Sequence, residues 1–506
     1  MVTLYSALRS LPAVVLVFAA VSEAQNVGQW GPMVKFPVVP VAVALLPETG
    51  NMLVWSSGWP NRWTTAGNGK TYTSIYDVKT GKVSDALIQN TQHDMFCPGT
   101  SMDENGRIIV TGGSSASKTS VLDFKKGEFS SWTPLSNMQI SRGYQSSCTT
   151  SEGKIFVIGG SFSGAGRRDG EVYDPKANTW TKLAGCPVKP LVMQRGMFPD
   201  SHAWLWSWKN GTVLHAGPAK QMNWYYTKGT GANTPAGLRG ADDDSMCGVS
   251  VMYDAVAGKI FTYGGGKAYT GVASSSNAHI LTLGEPGQAV QVQKLQNGKF
   301  NRGFANAVVM PDGKIWVVGG MRQMQLFSDS TPQLTPELFD PATGVFTPTT
   351  PHTVPRNYHS TALLMADATI WSGGGGLCGA NCKENHFDGQ FWSPPYLFEA
   401  DGKTPAKRPV IQDLSETTVK AGAPITVTMQ DAGAYTFSMI RVSATTHTVN
   451  TDQRRIPLDG QDGGDGQAFT VNVPDDYGVA VPGYYMLFAM NEAGVPCVAK
   501  FFKVTL

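Results

Sequence analysis

The chain has 506 residues, 42% of them hydrophobic and only 15% charged, with 40 Lys and Arg against 38 Asp and Glu. That length exceeds one ordinary core and asks for several domains or one large repetitive architecture. The near-neutral balance excludes a surface built to hold nucleic acid or an anionic membrane, and leaves a small, weakly charged molecule as the expected partner.

Arg9, the apolar stretch Leu11 to Ala20 and the small residues of Ser22-Glu23-Ala24 predict a cleaved secretory leader over residues 1–24, and hence a secreted, extracellular protein. The stretch is too short to cross a bilayer, and no later window approaches the needed length. Secretion permits disulfides, and seven cysteines leave at least one unpaired.

Strand-like runs ending in glycine or small residues then recur at roughly fifty-residue spacing, that of kelch repeats. They are Leu53-Val54-Trp55-Ser56, Val110-Thr111-Gly112-Gly113, Val157-Ile158-Gly159-Gly160, Leu214-His215-Ala216-Gly217, Thr262-Tyr263-Gly264-Gly265, Val317-Val318-Gly319-Gly320 and Ile370-Trp371-Ser372-Gly373. Turn signals such as Asn105-Gly106 and Pro311-Asp312-Gly313 precede most of them, and a second strand ending in Asp follows several, as in Val172-Tyr173-Asp174. One four-stranded blade cannot bury both faces alone, whereas seven around an axis bury one another. The expectation is an all-β fold, a seven-bladed kelch-type β-propeller over residues 25–400. The diglycines are expected to let inner strands crowd near the axis.

Asn210-Gly211-Thr212 is a glycosylation sequon, but Asn-Gly between two apolar runs reads first as a hairpin turn. Cys378 and Cys382, flanked by glycines, suit a short disulfide loop, and no second Cys or His pair follows at zinc-ligand spacing. The remaining cysteines stay unassigned. Past Lys403-Thr404-Pro405-Ala406-Lys407-Arg408-Pro409, a linker composition, short alternating strands predict an immunoglobulin-like β-sandwich over 401–506.

Four short stretches carry the chemistry: Asp94-Met95-Phe96-Cys97-Pro98-Gly99, Arg142-Gly143-Tyr144-Gln145-Ser146-Ser147, Tyr358-His359-Ser360, and the polar run from Thr446 and His447 to Arg455. They closely resemble motifs of the copper radical oxidases, the galactose oxidase family, and the resemblance covers nearly the whole chain after the leader. It implies one copper ion held by His359, His447, Tyr144 and Tyr358, with a thioether between Cys97 and Tyr144. It further implies that a primary alcohol gives its proton to Tyr358 and its carbinol hydrogen to a Tyr144 radical, dioxygen leaving as hydrogen peroxide. Copper takes one electron of the two that an alcohol yields, so the sulfur-substituted ring stores the other and no exogenous organic cofactor is needed. The resemblance places one ligand, His447, on the C-terminal domain, and the propeller is expected to start close behind the leader, without the sugar-binding N-terminal domain of galactose oxidase.

By the same resemblance, this chain departs from the sugar-oxidising members at the pocket. Phe162 stands where they have a tryptophan over the thioether, Phe198, preceded by Met197, where they have a sugar-binding arginine, and Thr270, beside Tyr269, where they have a glutamine. Trp63 and Phe327 match aromatic walls. A pocket without hydroxyl-binding groups selects sugars poorly, so aliphatic and aromatic primary alcohols are expected over galactose. A glyoxal oxidase-type aldehyde oxidase and a copper-free kelch binding module are the alternatives. The protein is expected to be a monomer, with a peroxidase as a conceivable activating partner.

Overall fold

The computed structural model describes residues 27–64, 67–127, 129 and 131–506; the leader expected over 1–24 lies outside the described residues. The chain is built of short strands with a few single-turn helices. Seven antiparallel sheets form the blades of a propeller. Blade 2 is representative: Gly99–Met102, Ile108–Thr111, Thr119–Leu122 and Trp132–Pro134 pair in chain order, innermost to outermost. Strands buried on both faces read as unbroken apolar runs, and this explains Ile108-Ile109-Val110 and Val317-Val318.

The ring is closed by the N-terminal segment, which supplies the outer edge of blade 7: Gln29 and Trp30 pair with Ser393 and Trp392. Trp392 stacks on Trp316 of blade 6 with ring centroids 4.4 Å apart, so closure buries large aromatic area as well as hydrogen bonds.

The glycine-ended runs are the second strand of each blade, not the innermost, which corrects the reason expected for the diglycines. Gly112 and Gly319 have φ of 60° and 69°, and a Cβ there would lie 2.4 Å from the Arg142 carbonyl oxygen and 2.2 Å from that of Arg356. Glycine is required because the next blade's incoming loop lies against that backbone. Asn210, with φ of 56°, and Gly211 form the turn between Trp204–Ser207 and Thr212–Gly217, as the hairpin reading has it. Cys378 and Cys382 are joined.

The C-terminal domain packs two sheets, one of Ile411–Leu414, Pro424–Met429, Ala468–Asn472 and Gly460–Asp462, the other centred on Gly483–Asn491. Pro424–Met429 alternates exposed and buried, with Ile425, Val427 and Met429 inward. One strand leaves this domain: Ala444–Thr446 pairs with Ala42–Leu45 on the inner side of blade 1 and packs against the first strands of blades 2 and 7. That excursion carries His447 into the axis.

Candidate metal centre

The site is assembled from one position repeated around the ring. Cys97, Tyr144, His202 and Cys247 each stand two residues before the first strand of blades 2, 3, 4 and 5, Phe304 is the second residue of the first strand of blade 6, and His359 immediately precedes that of blade 7. All six have left-handed φ, between 54° and 70°. Backbone hydrogen bonds link neighbours: Tyr144 N–H to Cys97 O, His202 N–H to Tyr144 O, and Phe304 N–H to Cys247 O, each 2.9 Å. Such strain in non-glycine residues persists where surroundings over-determine it, and it clusters at functional sites.

Buried arginines supply part of that determination. Arg142, Arg302 and Arg356 each precede a site residue by two positions, and each pairs at 2.9 Å with an acid of its own blade: Glu171, Glu337 and Asp388. Each also donates to a glycine carbonyl at the end of the second strand, Gly159, Gly319 or Gly374. The arginine thus locks the loop that carries Tyr144, Phe304 or Tyr358.

Hydrogen bonding fixes how both imidazoles point. A carbonyl only accepts, so His359 Nδ1 donates to Gly376 O at 2.5 Å, and its buried Nε2 is left without a partner. The Thr446 hydroxyl donates to Val41 O and so accepts from His447 Nδ1 at 2.6 Å. His447 Nε2 then faces the site, 3.3 Å from Cys97 Sγ. Donor atoms of Cys97, His359 and His447 lie within 4.8 Å of one another. The Tyr144 and Tyr358 hydroxyls meet in a short contact.

Burial pushes the Tyr144, Tyr358 and Cys97 groups well above their usual range, pushes His359 and His202 down to about 3, and holds His447 well below the usual imidazole range. Neutral imidazoles are the form that ligates metal, and a bound cation would offset the cost of ionising the phenols. Two imidazole nitrogens and two phenol oxygens are a donor set for tetragonal copper(II). The residues present fit the ion that the sequence implied.

The structure brings most of the expected pocket together. Phe162 lies over Tyr144 at a ring separation of 4.5 Å, Phe198 meets the same ring edge-on at 5.2 Å, and Trp63 contacts Phe162 at 5.6 Å and Phe327 at 6.2 Å. Phe327 stands against Tyr358 at 5.3 Å. Met197 is 47% exposed beside Phe198, and the Thr270 hydroxyl is turned to Met324 O at 3.3 Å. Tyr269 belongs to the interior: its hydroxyl lies 3.1 Å from that of Tyr358 and 2.8 Å from His202 Nε2.

Sequence reasoning missed His202, Cys247, Phe304 and Phe96. Phe96 packs edge-on against both His359 and His447. His202, Cys247 and Phe304 join His359 and His447 around a small void. A groove of about 640 Å³ lined by Tyr76, Phe391 and Phe501 holds none of the site residues, and the converging donors lie at the ring axis instead.

Comparison with known proteins bears on the family. Residues 408–504 match the family model for the galactose oxidase-like early set domain, and residues 142–187 match the kelch motif. Galactose oxidase of Gibberella zeae is 47% identical over 95% of this chain and 71% of its own length. An aldehyde oxidase of Vitis pseudoreticulata is 24% identical over 86% of both chains. A solved structure described as a fungal alcohol oxidase with catalytic diversity among the AA5 family, in complex with copper, is 90% identical. It covers 95% of this chain and 100% of its own at a TM-score of 0.94. The chain belongs to the galactose oxidase family.

Proposed function

We propose that this protein is a copper-dependent oxidase of primary alcohols that prefers aliphatic and aromatic substrates to galactose, passes electrons to dioxygen and releases hydrogen peroxide. The observation that carries the reading is the convergence of His359, His447, Tyr144 and Tyr358 with the Cys97 sulfur beside them. Bound copper supplies a Lewis acid and one of the two electron-accepting sites that alcohol oxidation needs.

The rest falls to the chain. Tyr358, within hydrogen-bond reach of both Tyr144 and Tyr269, takes the alcohol proton at its phenol oxygen. Tyr144 stores the second oxidising equivalent as a ring radical after its ring has joined the Cys97 sulfur. That thioether forms by loss of the thiol hydrogen and one ring hydrogen to dioxygen. Phe162, 4.5 Å from Tyr144, excludes water from the ring face. Phe162, Phe198, Trp63 and Phe327 offer alkyl and aryl groups apolar contact and give sugar hydroxyls few partners. The leader-like residues 1–24 support work outside the cell, where thiol oxidation is permitted.

A peroxide assay on copper-loaded protein with butanol, benzyl alcohol, galactose and methylglyoxal tests this. The two simple alcohols should lead, and Phe162→Trp should raise galactose turnover relative to butanol by roughly tenfold, about the worth of one gained hydrogen bond. Dominant methylglyoxal turnover would make the protein an aldehyde oxidase. No peroxide from any of the four would leave a binding module.

A further inference from the structure

We propose that Asp329 is a positioning residue that latches the Phe327 wall of the substrate pocket to the segment carrying Tyr358. The inference rests on the pocket reading above and adds what holds its Phe327 side. Phe327 sits at the tip of an excursion from blade 6, between Met321 and Pro332. The base of the excursion is closed by Arg322 N–H to Thr331 O and Gln323 N–H to the Thr331 hydroxyl, each 3.0 Å. Phe327 itself has φ of 53°, a conformation that a bulky residue keeps only when its neighbours impose it.

Those neighbours come from blade 7. Asn357, immediately before Tyr358, donates to Ser328 O at 3.1 Å and to the Asp329 carboxylate at 3.3 Å. His386 Nε2 donates to the other Asp329 oxygen at 2.9 Å, and the His386 backbone is tied to Gly375 O. One carboxylate therefore fastens the Phe327 tip to two loops of blade 7, the one carrying Tyr358 and the one between Ile370–Gly374 and Asp388–Ser393. Asp329 touches none of the donor atoms, and its side chain is 27% exposed. A partly exposed pair contributes little to global stability, so its placement at the hinge of a pocket wall calls for another purpose. Phe327 lies 5.3 Å from Tyr358 and 6.2 Å from Trp63, and an aryl or longer alkyl substituent packed against this aromatic wall feels any shift of the tip. Ethanol does not reach it.

The experiment compares wild type, Asp329→Ala, Asp329→Asn and Phe327→Ala as full-length copper-loaded proteins. It reads kcat and KM for benzyl alcohol and ethanol, and amide exchange over residues 325–331. Asp329→Ala should raise KM for benzyl alcohol by about tenfold with kcat within about twofold, leave ethanol unchanged, and speed exchange of the tip by about tenfold, the scale of one charge-assisted hydrogen bond. Asp329→Asn, which keeps one acceptor, should fall between. If Phe327→Ala raises the benzyl alcohol KM while Asp329→Ala moves neither KM nor exchange, the latch is wrong and the pocket reading stands. If neither variant moves KM, the pocket reading fails and the latch with it. An equal fall of kcat on both alcohols in Asp329→Ala also overturns the latch, because the damage then lies at Tyr358.

Discussion

Asp94, three residues before Cys97, shows how much a single buried side chain carries unseen. One of its carboxylate oxygens accepts the Gly58 N–H at 3.1 Å, and the other is buried without a partner. Burial pushes its carboxyl up to about 7. Folding thus favours the protonated form, so the associated stability is present below about pH 4 and is lost as pH rises through 7. Asp94→Asn cannot ionise. It should match wild type near pH 4 and exceed it above pH 7 by up to about 4 kcal/mol, read from urea midpoints across that range; a difference flat with pH contradicts the assignment. Sequence made Cys97, Tyr144, Tyr358, His359 and His447 legible because each sits in a run of distinctive letters. His202, Cys247 and Phe304 share with Cys97, Tyr144 and His359 a backbone place at the head of a blade, not a letter pattern, and that equivalence appears only in the fold.

At the scale of the element, the blade joint decides the local chemistry. The glycine run was legible as a strand end and a kelch period, but its reason was not, because the atom it must avoid belongs to the next blade. Gly319→Ala sets a methyl group 2.2 Å from Arg356 O at a φ of 69°, and should cost about 2–4 kcal/mol. Arg356 stands two residues before Tyr358, so copper affinity should fall together with the melting temperature. A stable variant with intact copper binding would separate the joint from the site. The arginine pairs behave alike: Arg142–Glu171 and Arg302–Glu337 are fully buried, where losing one partner typically costs about 3–5 kcal/mol.

Across the whole molecule, the metal centre exists only because two domains meet. The excursion bearing His447 is clamped to blade 2 by Arg441 and Asp452, both buried and paired with each other: Asp452 accepts the Met102 N–H at 3.0 Å, and Arg441 donates to Met102 O at 2.7 Å. Asp452→Ala leaves Arg441 unpaired, and should lower unfolding free energy by about 3–5 kcal/mol while weakening copper binding in titrations. Undiminished copper affinity would show that His447 is positioned by its own strand alone. Both domains were legible as strand patterns, and the family resemblance supplied the idea of a ligand crossing between them. The clamp was not legible, because nothing in the letters pairs Arg441, at the end of a strand, with Asp452 in the polar run after His447 or either of them with Met102. The account as a whole turns on the Cys97 sulfur and the Tyr144 ring becoming one group beside copper. Peptide mass mapping after aerobic copper loading tests it most directly. A single linked species two hydrogens lighter than its two peptides is the predicted result, and separate peptides with an alkylatable Cys97 would contradict it.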